Sequence, residues 1–156
     1  CVQLMSTPGV GLLTATAMVA ATSGKVAHFK DARHFASWFG LTPREFSSGN
    51  SRHLGGISKR GDRYLRMLMT HGARSVLRAA TVAKNQGKTI SGIRQWSLAV
   101  QSRSNHIKAT CALANKIARI CYATLRDGEA YRDLSAPGAP QRTEKKLTRE
   151  SFEMPH

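Results

Sequence analysis

From Asp62 to Ala79 the apolar side chains return with the period of an α-helix, while the other side of that helix carries almost only positive charge. At 100° per residue, Leu65, Leu68, Met69, Gly72, Val76 and Ala79 fall within about a third of the circumference. Arg63, Arg66, Arg74 and Arg78, with Lys59 and Arg60 just ahead of them, cluster opposite, and the acidic residue nearest that face is Asp62. A chain holding such a segment must bury one face against other elements and leave the other bare. A solvated face normally mixes signs so that neighbouring charges pair. A single-sign face repels itself unless an outside polyanion neutralises it.

The rest of the chain repeats this bias. Twenty-four Lys and Arg face nine Asp and Glu across 156 residues, a formal charge of +15. Residues 1 to 126 hold nineteen of the basic residues and three of the acidic ones, so the basic character belongs to the patterned part and not to the end of the chain. No apolar run reaches the roughly 18 residues of a membrane span, and the cations are spread over several segments. Nucleic acid is therefore the expected partner, and no membrane is. The three cysteines, Cys1, Cys111 and Cys121, contain no CxxC pair and imply neither a disulfide framework nor a zinc site. With no secretory leader in view, a reducing, cytoplasmic setting is expected. The first residue is Cys and not Met, which suggests a fragment of something longer.

Other segments read as helices. Residues 4 to 22 give a short helix end, a Pro8-Gly9-Val10-Gly11 turn and a second helix rich in Ala, Leu, Met and Thr, the pattern of a helix-hairpin-helix. Gly9 and Gly11 would let backbone approach a phosphate, with the amides of the next helix aimed at it; the same turn can equally join two packed helices. Asp31 can cap a helix whose Phe35, Trp38 and Phe39 make an apolar core face. Ser104 or Asn105 can cap a last long helix to about Arg126, its stripe formed by Ile107, Cys111, Ala114, Ala118, Cys121 and Leu125. Strand signals are weak throughout, so the expectation is an all-α domain over 1–132, with a polar, disordered tail at 133–156.

The patterning breaks between Gly40 and Gly61, GLTPREFSSGNSRHLGGISKRG, which reads as a long functional loop. A metal-dependent nuclease needs converging carboxylates, but only Asp31, Glu45 and Asp62 precede residue 127. No GxSxG elbow or histidine ligand spacing appears, and the histidines, His53 among them, read as structural or solvent-facing. What is left is a serine in a glycine-flanked loop followed by cations. A serine hydroxyl can attack a phosphodiester if its proton is taken and charge is stabilised nearby; Arg44, Lys59 and Arg60 are the candidates for that stabilisation.

The order TPGVG, then F-x-x-A-R-x-F-A-x-x-x-G-L-x-P, then S-G, then I-S-K-x-G-x-x-x-L-R resembles the DEDD-type insertion-sequence transposases of the IS110 group, over about Leu4 to Arg132. The resemblance implies a helical, serine-bearing C-terminal domain. The upstream nuclease domain, which would hold Mg²⁺ on its own acidic residues, is expected to be absent, leaving no cofactor in this fragment. It further implies Ser48 as a nucleophile forming a phosphoserine link to DNA, with Ser47 the alternative in register. Gly9, Gly11, Arg44, Gly49, Lys59, Arg60, Arg63 and Arg66 would be its DNA- or RNA-binding residues. A structured guide RNA and composite active sites in a homo-oligomer of the full-length protein are implied as well. Two other readings stay open: a non-catalytic remnant that merely grips nucleic-acid backbone, and a basic RNA-binding protein of ribosomal type.

Overall fold

The computed structural model describes residues 1–49, 51–90 and 92–133. Their elements run α1 (Val2–Met5), α2 (Leu12–Thr22), α3 (Ala32–Trp38), β1 (Pro43–Ser48), β2 (Ser51–Ile57), α4 (Arg63–Asn85), α5 (Gly92–Arg103) and α6 (His106–Asp127). The expected disordered tail lies, from residue 134 on, outside the described residues.

Helix starts are set by side chains that accept otherwise unsatisfied amides. Asp31 takes the His34 amide at 2.7 Å, Asp62 the Leu65 amide at 2.8 Å and Asn105 the Lys108 amide at 2.8 Å. Helix α6 is the axis of the body: α1, α3, α4 and α5 all pack on it. Its buried residues therefore spread well beyond one stripe, taking in Ala109, Leu113, Ala114, Ile117, Ala118, Cys121 and Tyr122. Small residues among them let neighbouring helices come close. The stripe expected for α6 fails at its start, where Ile107 is 74% exposed: the first turns bury Ala109 and Thr110 instead, and Ile107 borders a cleft. On α4 the buried line is Leu65, Met69, Ala73, Val76, Leu77 and Ala80. Ala79 is exposed, since the core centre sits nearer residues 73 and 80 than the projected stripe.

Aromatic rings fill the space between α3 and α6. Phe29 meets Phe35 edge to face at 4.9 Å, Phe35 meets Phe39 likewise at 4.9 Å, and Tyr122 closes the group at 5.6 Å from Phe35. The expectation that the aromatics of α3 serve the core holds.

One feature departs from the sequence reading. The domain is mostly helical but not all-α, because the expected long loop contains an antiparallel hairpin, β1 paired with β2. Period-2 apolar alternation is missing from these strands for a simple reason: β1 is exposed throughout and β2 nearly so, leaving no sheet face to bury. At residues 4 to 22 the short helix end is α1, a single turn, and the second helix is the eleven-residue α2. Among the described residues no helix is long and apolar enough to cross a membrane.

The turn that precedes α2 is locked onto α4 by glycine on both sides. A Cβ on Gly72 would lie 2.0 Å from the Gly9 carbonyl oxygen, and one on Gly9, whose φ is +85°, would lie 2.8 Å from the Gly72 oxygen. Alanine ordinarily improves a helix interior by up to about 1 kcal/mol over glycine. At this position the sign should reverse: Gly72→Ala is expected to destabilise the protein by roughly 1–3 kcal/mol through overpacking. Gly11→Ala, with nothing within 4 Å of its Cβ, serves as the control in thermal melts followed by circular dichroism.

Candidate functional site

The hairpin stands out from the helical body as an arm, and its root is fixed by backbone. The chain runs out through Gly40 and back through Gly61, both at positive φ (+70° and +95°). A Cβ on Gly40 would lie 2.1 Å from the Arg60 carbonyl oxygen, and one on Gly61 1.9 Å from that of Trp38. Only glycine allows these crossings. The Lys59 amide donates to the Gly40 carbonyl at 3.0 Å and the Ser58 amide to Thr42 at 2.8 Å. From the body, the Asn115 amide group on α6 donates to the Leu41 carbonyl at 3.1 Å. Lys59 itself holds a left-handed φ of +57°, a conformation seldom taken by a side chain with a Cβ.

Beyond the root the pairing is Glu45 with Leu54, Phe46 with His53, Ser47 with Arg52 and Ser48 with Ser51, which puts Gly49 (φ +57°) at the turn. Between the pairs Pro43/Ile57 and Glu45/Leu54 the ladder carries an irregularity that includes Gly55 and Gly56. Strand alternation then gives the two serines different faces. On one side, the Ser47 hydroxyl donates to Glu45 Oε1 at 2.8 Å, and Arg52 Nε pairs with the same oxygen at 2.9 Å. On the other side stand Phe46, Ser48, Ser51 and His53. Among the described residues the Ser48 side chain makes no hydrogen bond, and it is exposed at the arm's tip.

The residues singled out from sequence are not all brought together. Ser48 and Gly49 lie at the tip, while Arg44 lies four residues back along β1, roughly 13 Å away by strand rise, and Lys59 and Arg60 follow the end of β2 at the root. Arg44 reaches the Ser58 carbonyl at 3.4 Å. Arg63 is exposed on the outer face of α4 with Arg74 and Arg78. Arg66 turns inward instead and donates to the Phe39 carbonyl at 3.1 Å, where it satisfies the end of α3. Gly9 spends its close approach on Gly72, whereas Gly11 is the exposed N-cap of α2 with no capping side chain. The three acidic residues before 127 are each committed: Asp31 and Asp62 to helix caps, Glu45 to Ser47 and Arg52. Among the described residues no three His, Cys, Asp or Glu converge as a metal site would require.

Sequence reasoning missed the cleft between the arm's root and the first turns of α6. It encloses about 640 Å³. Its apolar lining includes Leu41, Phe46, Ile57, Ile107 and Ala112, and its charged members, Arg44, Lys59 and Lys108, are all positive. Burial raises the pKa of the Cys111 thiol in its wall, against the opposing positive fields of Lys59 and Arg74. The one signal that could have located the arm was the Gly49-Asn50 pair between two short polar runs, a two-residue hairpin turn. Ile107, read as core, is one of the cleft's exposed apolar side chains.

A family model described as the transposase IS116/IS110/IS902 family matches residues 1–88. Over 130 residues the chain is 43% identical to a probable family 20 transposase of Pseudomonas aeruginosa, covering 83% of this chain and 36% of that protein. It is 42% identical over 132 residues to the transposase for insertion sequence element IS1111A of Coxiella burnetii (85% and 34%). It is 32% identical over 129 residues to the transposase for insertion sequence element IS1328 of Yersinia enterocolitica (83% and 36%). The chain thus spans about a third of the length of these curated relatives.

The Glu45 carboxyl is held below the usual carboxylate range, first by the Ser47 hydroxyl and then by the charge of Arg52. An NMR titration should therefore find Glu45 ionised at lower pH than an ordinary glutamate. Ser47→Ala should move its midpoint up, toward the ordinary value, and Ser48→Ala should leave it in place.

Proposed function

The chain belongs to the IS116/IS110/IS902 transposase family, and on that premise we propose that it handles DNA in transposition, with the Ser48 hydroxyl attacking a phosphodiester. The observation that carries this reading is the placement of Ser48 at the tip of a bare two-stranded arm, its side chain uncommitted among the described residues while the Ser47 hydroxyl is bound to Glu45. A nucleophile must be presented outward to a polymer as wide as DNA, and a hydroxyl already donating to a carboxylate on the opposite face is poorly placed for that. This favours Ser48 over Ser47 in the register left open by the sequence.

In the step, a bond forms from Ser48 Oγ to phosphorus and the bond to the leaving strand's oxygen breaks. The Oγ proton passes to a base, and the leaving oxygen takes up a proton. The phosphodiester is exchanged for a phosphoserine link, so the strand can later be rejoined without an outside energy source. Arg44, Lys59, Arg60 and Arg63 sit too far from Ser48 to stabilise charge on the phosphate it attacks. Their place at the root and on α4 suits them to gripping the strand's backbone further along, with Gly11 and the open first turn of α2 as a second phosphate contact. Charge stabilisation at the tip must then come from another chain or another part of a longer protein. This agrees with composite sites in a homo-oligomer, and a structured guide RNA would be a second ligand of the basic faces. Mg²⁺ does not fit the carboxylates before residue 127, which are committed to helix caps and to the arm.

A grip without chemistry is the second reading, favoured by the distance of the cations from Ser48 along the arm. The two readings separate in a full-length family member carrying the equivalent substitutions. Ser48→Ala is expected to abolish covalent protein–DNA adducts and Ser47→Ala to preserve them; adducts that persist in Ser48→Ala would sink the nucleophile. The outer face of α4 is tested by salt. Arg74→Ala with Arg78→Ala should weaken DNA binding and flatten the dependence of log affinity on log salt by about two contacts' worth.

A further inference from the structure

We propose that the cleft at the root of the arm receives one unstacked base of the DNA strand, the base next to the phosphate presented to Ser48. The identity of the strand rests on the reading of Ser48 as nucleophile; the capture of a base stands on the cleft itself.

Phe46 and Ser48 are two residues apart on β1 and share a face, so their side chains stand about 7 Å apart along the strand, close to the reach of a single nucleotide. The Phe46 ring is laid across β2 by the absence of a side chain at Gly55, where a Cβ would come within 2.9 Å of it. It is held there although 60% exposed, and Ile107 on the opposite wall is 74% exposed. Two large apolar groups left in water beside a cavity of about 640 Å³ call for a flat, apolar occupant of nucleotide size.

The rim decides its class. Arg44, Lys59 and Lys108 border the cleft, and among the described residues no acidic one lines it. An apolar protein segment seated there would desolvate three cations and neutralise none. A nucleotide brings a base for Phe46 and a phosphate for the cations in one piece, and stacking on an aromatic ring is tolerant of base identity. A duplex cannot supply it, because its bases are stacked and paired. The occupant is therefore an unpaired position in the DNA, opened where the strand meets the arm.

The test uses this chain and short deoxyoligonucleotides carrying one fluorescent adenine analogue that brightens when unstacked. The signal should rise on binding to single-stranded DNA. Phe46→Ala should remove the rise and weaken single-strand binding about tenfold, within the range for one stacked base, with duplex binding unchanged. Lys108→Ala, a surface change on α6, should weaken single-strand binding and lower its salt slope by about one contact. Equal losses for single strand and duplex, or no loss, would overturn the proposal. So would a Phe46 dependence shown by RNA of the same sequence and not by DNA, or self-association of the chain that Phe46→Ala abolishes without touching DNA affinity. Ser48→Ala should leave both binding and fluorescence intact, so a failed nucleophile shows up in the adduct assay while base capture is judged by fluorescence alone.

Discussion

Backbone lies directly on backbone at two places in this molecule, and the rest of the architecture is hung from them. At the first, the turn before α2 presses its Gly9 carbonyl against the Cα of Gly72 in the middle of α4, which fixes the N-terminal segment to the longest helix. At the second, Gly40 and Gly61 cross with the backbone of Arg60 and Trp38 and gather the two ends of the hairpin into one knot. Neither contact can be made through side chains, since any Cβ would collide with a carbonyl. Their stabilisation is that of close packing and not of burial area, so they tolerate almost no change of shape.

Charge is divided as sharply as packing. Each carboxylate before residue 127 is spent on a local structural task, two starting helices and one bracing the arm. No carboxylate before residue 127 is left over to neutralise the outer face of α4 or the rim of the cleft. A polyanion is a partner that can relieve the repulsion among their cations.

Much of this was legible in the residues. Asp31 and Asn105 announced helix starts because capping is local chemistry, and Phe35 and Phe39 announced a core because their spacing matches one helix face. Long-range matters were not legible. Ile107 fits the apolar period of α6 and yet is exposed, since periodicity reports a face and not which of its positions find partners. Arg66 looked like one more cation of a bare face, but a carbonyl of Phe39, 27 residues back in sequence, claims it. The arm escaped notice because strands that bury nothing need no hydrophobic alternation, and a Gly-Asn dipeptide in the sequence was its one trace. Of the candidate site, the serine and the cations could be nominated from sequence, whereas their separation along the arm was a property of the fold alone.

A rigid root and a free tip make the arm a lever. Eight residues separate Gly40 from Ser48, roughly 26 Å at strand rise, so a tilt of some 10° at the crossing of Gly40 and Gly61 carries the hydroxyl of Ser48 through roughly 4–5 Å. Misplacement by a single ångström can cost a reacting group about a hundredfold in rate. The accuracy with which this serine is aimed is therefore decided at the fulcrum, by two residues that have no side chains and never approach the strand.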